Sequence, residues 1–152
     1  MPEAGGGNPI KIAIVDDDRG FRRAVCGWLN GAGDILMVGD TQSGQEMLRW
    51  LHEMRPDVVL VDVAAASAAQ VRDIAADAGV IVLHGAGQEM RVLEALRAGA
   101  LGHLEKQDVR PPQVLAAIRA VSRGEAVLSP GLAGRILDEV AERYREGGAN
   151  GE

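Results

Sequence analysis

Short apolar runs, most of them ended by a polar side chain, alternate along the chain with stretches in which apolar residues recur every three or four positions. The runs Ile10–Val15, Ile35–Val38, Val58–Val61, Val80–Leu83 and Leu101–Leu104 read as strands. Val58–Val61 is apolar throughout, which suits a central strand buried on both faces. Between the runs, Phe21, Val25, Trp28 and Leu29 mark a helix that Asn30-Gly31 ends. Ser43 and Glu46 have capping-box spacing ahead of Met47, Leu48, Leu51 and Met54, and Pro56 stops that helix. An Ala-rich stretch leads into a helix over Gln70–Ala76, and Met90–Ala98 ends at Gly99. Pro111 or Pro112 opens a helix with Val114, Leu115, Ile118 and Val121 on one face. Ser129-Pro130 caps a last helix through Leu132, Ile136, Leu137 and Val140.

Strands and helices in strict alternation imply right-handed crossovers and a doubly wound parallel α/β sheet, here of five strands with an extra C-terminal helix. The Gly- and Pro-rich residues 1–9 are predicted to be a disordered tail. Residues 10–125 form the domain, 126–146 a C-terminal linker helix, and 147–152 a second disordered tail.

Composition narrows the picture. A chain of 152 residues holds one domain with a proper core. With two Trp, one Tyr and one Phe, that core must be largely aliphatic. A net charge of −6 argues against a dedicated nucleic-acid surface. The single Cys26 excludes an internal disulfide. No apolar run reaches membrane-spanning length and the N-terminus has no leader pattern, so a cytoplasmic location is expected.

The candidate chemistry starts at Ile12–Asp18, IAIVDDD, where a strand runs into three carboxylates. Such a cluster suits a hard cation bound through oxygens; the competing reading is a solvated turn with Asp18 as helix cap. In open α/β sheets, sites gather at the carboxyl ends of the strands. Asp16 and Asp17 stand there on the first strand, Asp62 on the third, His84 on the fourth and Lys106 on the fifth. This set can hold Mg²⁺ between carboxylates while Lys106 pairs with an anion or with Asp62. It supports phosphoryl transfer to a carboxylate, with Asp62 as nucleophile. Lys106 is one of only two lysines among sixteen basic residues, which suggests that a compact point charge is needed there. The bland alternative is a structural ion-pair cluster.

The stretches IAIVDDDRGFRRAV, RPDVVLVD, VLEALRAGALGHLEK and VLAAIRAVSRGEAVLSP resemble the receiver domain of two-component response regulators, in the NarL/FixJ (LuxR-type) branch. The resemblance covers residues 10–130. It implies a flavodoxin-like fold with strand order 2-1-3-4-5. It also implies that Asp62 is the phosphoacceptor and that Asp16, Asp17 and Asp62 bind Mg²⁺ together with the backbone carbonyl of Ala64. Lys106 would contact the phosphoryl group.

The sequence departs from that pattern in its switching residues. His84 stands where the family has Ser or Thr, and His103 where it has Tyr or Phe. The segment after Asp62 reads VAAASAAQ and is shorter than usual. Two readings follow. Either the two histidines form a modified relay for Asp62 phosphorylation, or the chain is a receiver-like interaction module that works without phosphorylation. A small Mg²⁺-dependent phosphatase with an aspartyl nucleophile is a third reading, opposed by Ala64 where such enzymes carry an acid. The implied donor is a sensor histidine kinase. The two C-terminal helices offer an apolar surface for a homodimer. DNA binding, and with it transcription control, would fall to a helix-turn-helix domain that these 152 residues do not include.

Overall fold

Each of the five apolar runs forms a strand in the computed structural model, which describes residues 7–150. The strands are β1 (Ile10–Val15), β2 (Ile35–Thr41), β3 (Val58–Asp62), β4 (Gly79–His84) and β5 (Gly102–Glu105). All pair in parallel, in the order β2-β1-β3-β4-β5. The helices are α1 (Arg19–Asn30), α2 (Gly44–Met54), α3 (Ala68–Ala75), α4 (Glu89–Arg97), α5 (Pro111–Ser122) and α6 (Pro130–Asn150). This is the doubly wound parallel sheet expected from the alternation, in the flavodoxin-like order that the resemblance implied.

Period-two alternation divides the core between the two faces of the sheet. Ile12, Ile14, Val58, Leu60 and Ile81 pack with Val25, Leu29, Val114 and Ile118 of α1 and α5. Ala13, Val15, Val59, Val61 and Val82 pack with residues of α2, α3 and α4, and with Leu132 of α6. All five residues of β3 are buried. Burying each of its four aliphatic side chains, Val58–Val61, contributes about 1.5–3 kcal/mol. This fixes the strand ends, where the candidate residues sit.

Several elements differ from the sequence reading. β2 continues past Val38 to Thr41, because the edge strand slips register between Ile12 and Ala13 and then pairs on to Val15. The polar stretch Gly39–Thr41 gave no apolar signal for this. α3 begins at Ala68 rather than Gln70, capped by Ser67 and Gln70, each side chain bonding the other's backbone N–H. At α2, Ser43 Oγ accepts from Glu46 N–H at 3.1 Å, while Glu46 reaches the N–H of Gln42 rather than that of Ser43. Ser43→Ala is expected to cost about 0.5–2 kcal/mol, read as a lower urea midpoint with an unchanged slope.

The expected boundary at residue 125 is not a break in the structure. Val127 N–H donates to Leu101 O at 2.9 Å, and His103 N–H donates to Val127 O at 3.1 Å. Gly102 permits this approach: a Cβ there would lie 2.8 Å from the Val127 oxygen. The chain then enters α6, where Leu132 is buried in the core. α6 runs on to Asn150, so residues 147–150 continue the helix instead of forming the expected tail. Residues 1–6 and 151–152, expected as disordered, lie outside the described residues.

Candidate functional site

The sheet brings Asp16, Asp62 and Lys106 together at its carboxyl edge. Lys106 Nζ lies 2.8 Å from Asp16 Oδ2 and 2.9 Å from Asp62 Oδ2. Its backbone N–H donates to His84 O at 2.8 Å, which fixes the chain after β5 against the end of β4. The ammonium also lies 4.4 Å from the centroid of the Phe21 ring, a cation–π contact. Burial works against the charge on Lys106, but its two carboxylate partners outweigh it and raise the pKa.

Asp16 is fully buried. Burial raises its pKa, and the nearby charge of Asp62 adds to the rise, against the bonds from Lys106 and from Asp18 N–H. Asp62 is nearly buried; its Oδ1 accepts from Ala64 N–H at 2.8 Å. Asp17 is exposed at the rim, and Asp18 caps α1, accepting from Phe21 N–H at 3.1 Å. So the acidic triplet divides its labour, with one carboxylate buried, one open and one capping.

Two carboxylates share one ammonium, which leaves an excess of negative charge beside exposed Asp17. Among the described residues, no three Asp, Glu, His or Cys side chains form a metal-holding cluster by themselves. The donor set nonetheless fits Mg²⁺, which keeps several of its own waters and needs only one or two carboxylates. Here the buried Asp62 carboxylate and the exposed Asp17, next in sequence to Asp16, are hard oxygen donors.

His84 and His103 do not join this cluster. Alternation puts His84 with Val80 and Val82 on the face covered by α4 and α6, and the register places His103 opposite Val82. His84 Nε2 lies 3.0 Å from His103 Nδ1, and His84 Nδ1 lies 3.1 Å from Gly85 O. His103 Nε2 accepts from the backbone N–H of Ser129 at 3.1 Å. An amide N–H can only donate, so it sets the tautomers of the whole chain. His103 carries its proton on Nδ1 and donates to His84 Nε2; His84 carries its proton on Nδ1 and donates to Gly85. Burial lowers the His103 pKa below 6.5, and the neighbouring His84 lowers it further.

This shift makes stability depend on pH. The unfolded chain binds a proton at His103 more readily than the folded one. The contribution is therefore complete above 6.5 and is lost as pH falls from there toward the lower folded value. Asp16 acts in the opposite sense, its contribution being lost as pH rises from 3.8 toward its raised folded value. Thermal midpoints are expected to fall between neutral and mildly acidic pH in the native protein, and to fall less in His103→Gln.

Sequence reasoning missed two residues. Buried Arg22 donates to the Asp16 carbonyl and, through Nε at 3.2 Å, to Asp40 Oδ2. Its place in the stripe with Val25 and Leu29 was a readable sign of burial. Ser129 had no such sign, since its partner is 26 residues away.

The sequence matches the family described as the response regulator receiver domain over residues 12–119. The chain belongs to this family. Among its curated relatives is the transcriptional regulatory protein LiaR of Bacillus subtilis (strain 168), 30% identical, the match covering 93% of this chain and 67% of LiaR. Another is the transcriptional regulatory protein YxjL of the same organism, 29% identical, with 86% of this chain and 62% of YxjL covered. The chain thus spans about two thirds of the length of these relatives. A LuxR-family two-component response regulator from Aurantimonas sp. SI85-9A1 superposes with a TM-score of 0.75 at 24% identity, covering 88% of this chain and 99% of that one. That likeness is one of fold. The chain is a receiver domain of the kind found in transcriptional response regulators.

Proposed function

We propose that Asp62 accepts a phosphoryl group from a sensor histidine kinase in a Mg²⁺-dependent reaction. The main support is Lys106 Nζ held between Asp16 and Asp62 at 2.8 and 2.9 Å. A carboxylate oxygen of Asp62 forms the new P–O bond as the donor's bond to phosphorus breaks, and the donor departs with that electron pair. Lys106 faces the negative charge that arrives with the phosphoryl oxygens. Asp17, Asp62 and the Ala64 carbonyl would hold Mg²⁺, which supplies further charge neutralisation when bound. The Ala64 N–H and Lys106 hold the Asp62 carboxylate in place.

The chain is then a phosphoacceptor and not an enzyme acting on a separate substrate. Its output is a conformational change or dimerisation through the C-terminal helices. In a longer protein this would govern a helix-turn-helix domain and so transcription. Among the described residues no helix is long and apolar enough to cross a membrane. A second reading, an interaction module without phosphorylation, draws support from His84, whose ring nitrogens are both engaged away from Asp62. Incubation with acetyl phosphate and Mg²⁺ separates the two. A phosphate-sized gain in intact mass, absent with EDTA, supports phosphoryl acceptance; no gain at any donor concentration favours the interaction module.

A further inference from the structure

We propose that Arg22 is a positioning residue for the cation site: it clamps the backbone on both sides of Asp17, and Mg²⁺ affinity depends on that clamp. The inference rests on the Mg²⁺-dependent reading above. Arg22 grips the acidic loop twice. Its guanidinium donates through Nη1 to the Asp16 carbonyl, and its backbone N–H donates to the Asp18 carbonyl at 3.0 Å. Asp17 is the residue between these two carbonyls. The Asp16–Asp17 peptide is planar, so fixing the Asp16 oxygen also fixes the Asp17 nitrogen and the root of its side chain. Because Asp17 is exposed at the rim, packing does not place its carboxylate; the backbone beneath it does.

The clamp is itself braced. Arg22 Nε donates to Asp40 Oδ2 at 3.2 Å, and the Arg22 side chain keeps only 10% of its surface in solvent. Beside Asp40, the Thr41 carbonyl accepts from Asp16 N–H at 3.0 Å. Both main-chain groups of Asp16 are therefore held from outside the loop. This gives the polar end of β2 a role, since Asp40 and Thr41 together support the loop that carries Asp16 and Asp17. An aliphatic side chain in line with Val25 and Leu29 would fill the place of Arg22 without desolvating a charge, so packing alone does not account for an arginine.

Charge and position predict opposite signs. Arg22 is a cation beside the site of a cation, so by Coulomb's law alone its removal would tighten Mg²⁺ binding. As a clamp, its removal frees the Asp16–Asp17 peptide and weakens binding. Titration of the full chain with Mn²⁺, read from the loss of the free-ion EPR signal with Mg²⁺ as competitor, tests this without any phosphodonor. Mn²⁺ takes the same hard oxygen ligands. Arg22→Met is expected to raise the Mg²⁺ dissociation constant by about 10–100-fold, as for other residues that orient a metal ligand. Arg22→Gln also loses the charge but keeps an amide donor, so it is expected to weaken binding by less; it carries the test if the Met variant does not fold. Melting curves of the same samples identify the folded variants. Unchanged or tighter binding in a folded variant overturns the clamp and leaves the cation site standing. Asp17→Ala is expected to lose the ion. No binding by the native chain, or native-like binding by Asp17→Ala, defeats the metal reading itself, and the clamp with it.

Discussion

Asp62→Asn is expected to abolish phosphoryl uptake while leaving the fold intact. An amide is not a nucleophile toward phosphorus, so the loss is complete rather than graded. The shape is conserved, and the amide oxygen can still accept from Ala64 N–H, as Asp62 Oδ1 does at 2.8 Å. Lys106 keeps Asp16 as its partner at 2.8 Å. The native pocket crowds two carboxylates against one ammonium, and Asp62 helps to raise the Asp16 pKa. Neutralising position 62 relieves this repulsion, but the amide NH2 then takes the place of the Oδ2 that accepts from Lys106 Nζ; the two effects oppose each other, and the thermal midpoint is expected to stay close to the native value. Intact mass after acetyl phosphate treatment reads the first effect, and a melting curve of the same sample the second. Loss of uptake together with a collapsed melting curve would mean that Asp62 serves the fold.

Lys106→Met is expected to impair both stability and chemistry. Removing the ammonium leaves the fully buried Asp16 carboxylate, and Asp62 beside it, without their shared cation. Breaking a fully buried pair costs about 3–5 kcal/mol. The Lys106 side chain keeps 20% of its surface in solvent, so the expected loss is nearer to that of a charged hydrogen bond, about 1–3 kcal/mol. Urea midpoints measure it, and Mg²⁺ is expected to restore part of the loss by supplying a cation to the same carboxylates. Initial phosphorylation rates are expected to fall by about 10²–10³-fold, as for a lost charge-stabilising donor. Lys106→Arg separates the two roles. A guanidinium keeps the charge, but its planar fork does not reproduce a point charge held between two carboxylates, so stability is expected to recover more than rate.

The chain declares its site at the strand ends. Val58–Val61 must be buried by its composition, so the polar residue that follows, Asp62, has to stand at an edge. The same logic placed Asp16, His84 and Lys106, and the structure joins Asp16, Asp62 and Lys106 through direct bonds. What the sequence did not disclose depends on long-range geometry. Whether His84 faced Asp62 or His103 depended on strand parity and on the β4–β5 register, and neither is a local pattern. The extension of β2 to Thr41 is dictated by its neighbour β1, not by its own apolar content. Val127 lies along β5 only because Gly102 has no side chain to exclude it. The Ser67–Gln70 cap was legible in principle, but an Ala-rich run around it carried no periodicity to point there.

The most direct test of Asp62 as phosphoacceptor is chemical mapping of the bound phosphoryl group. An aspartyl phosphate is reduced by borohydride to homoserine, a change that peptide mass analysis locates. Conversion at position 62 alone, dependent on Mg²⁺ during loading, is the expected result. A phosphoryl group found on His84 or His103, or a mass gain with no conversion at Asp62, would contradict it.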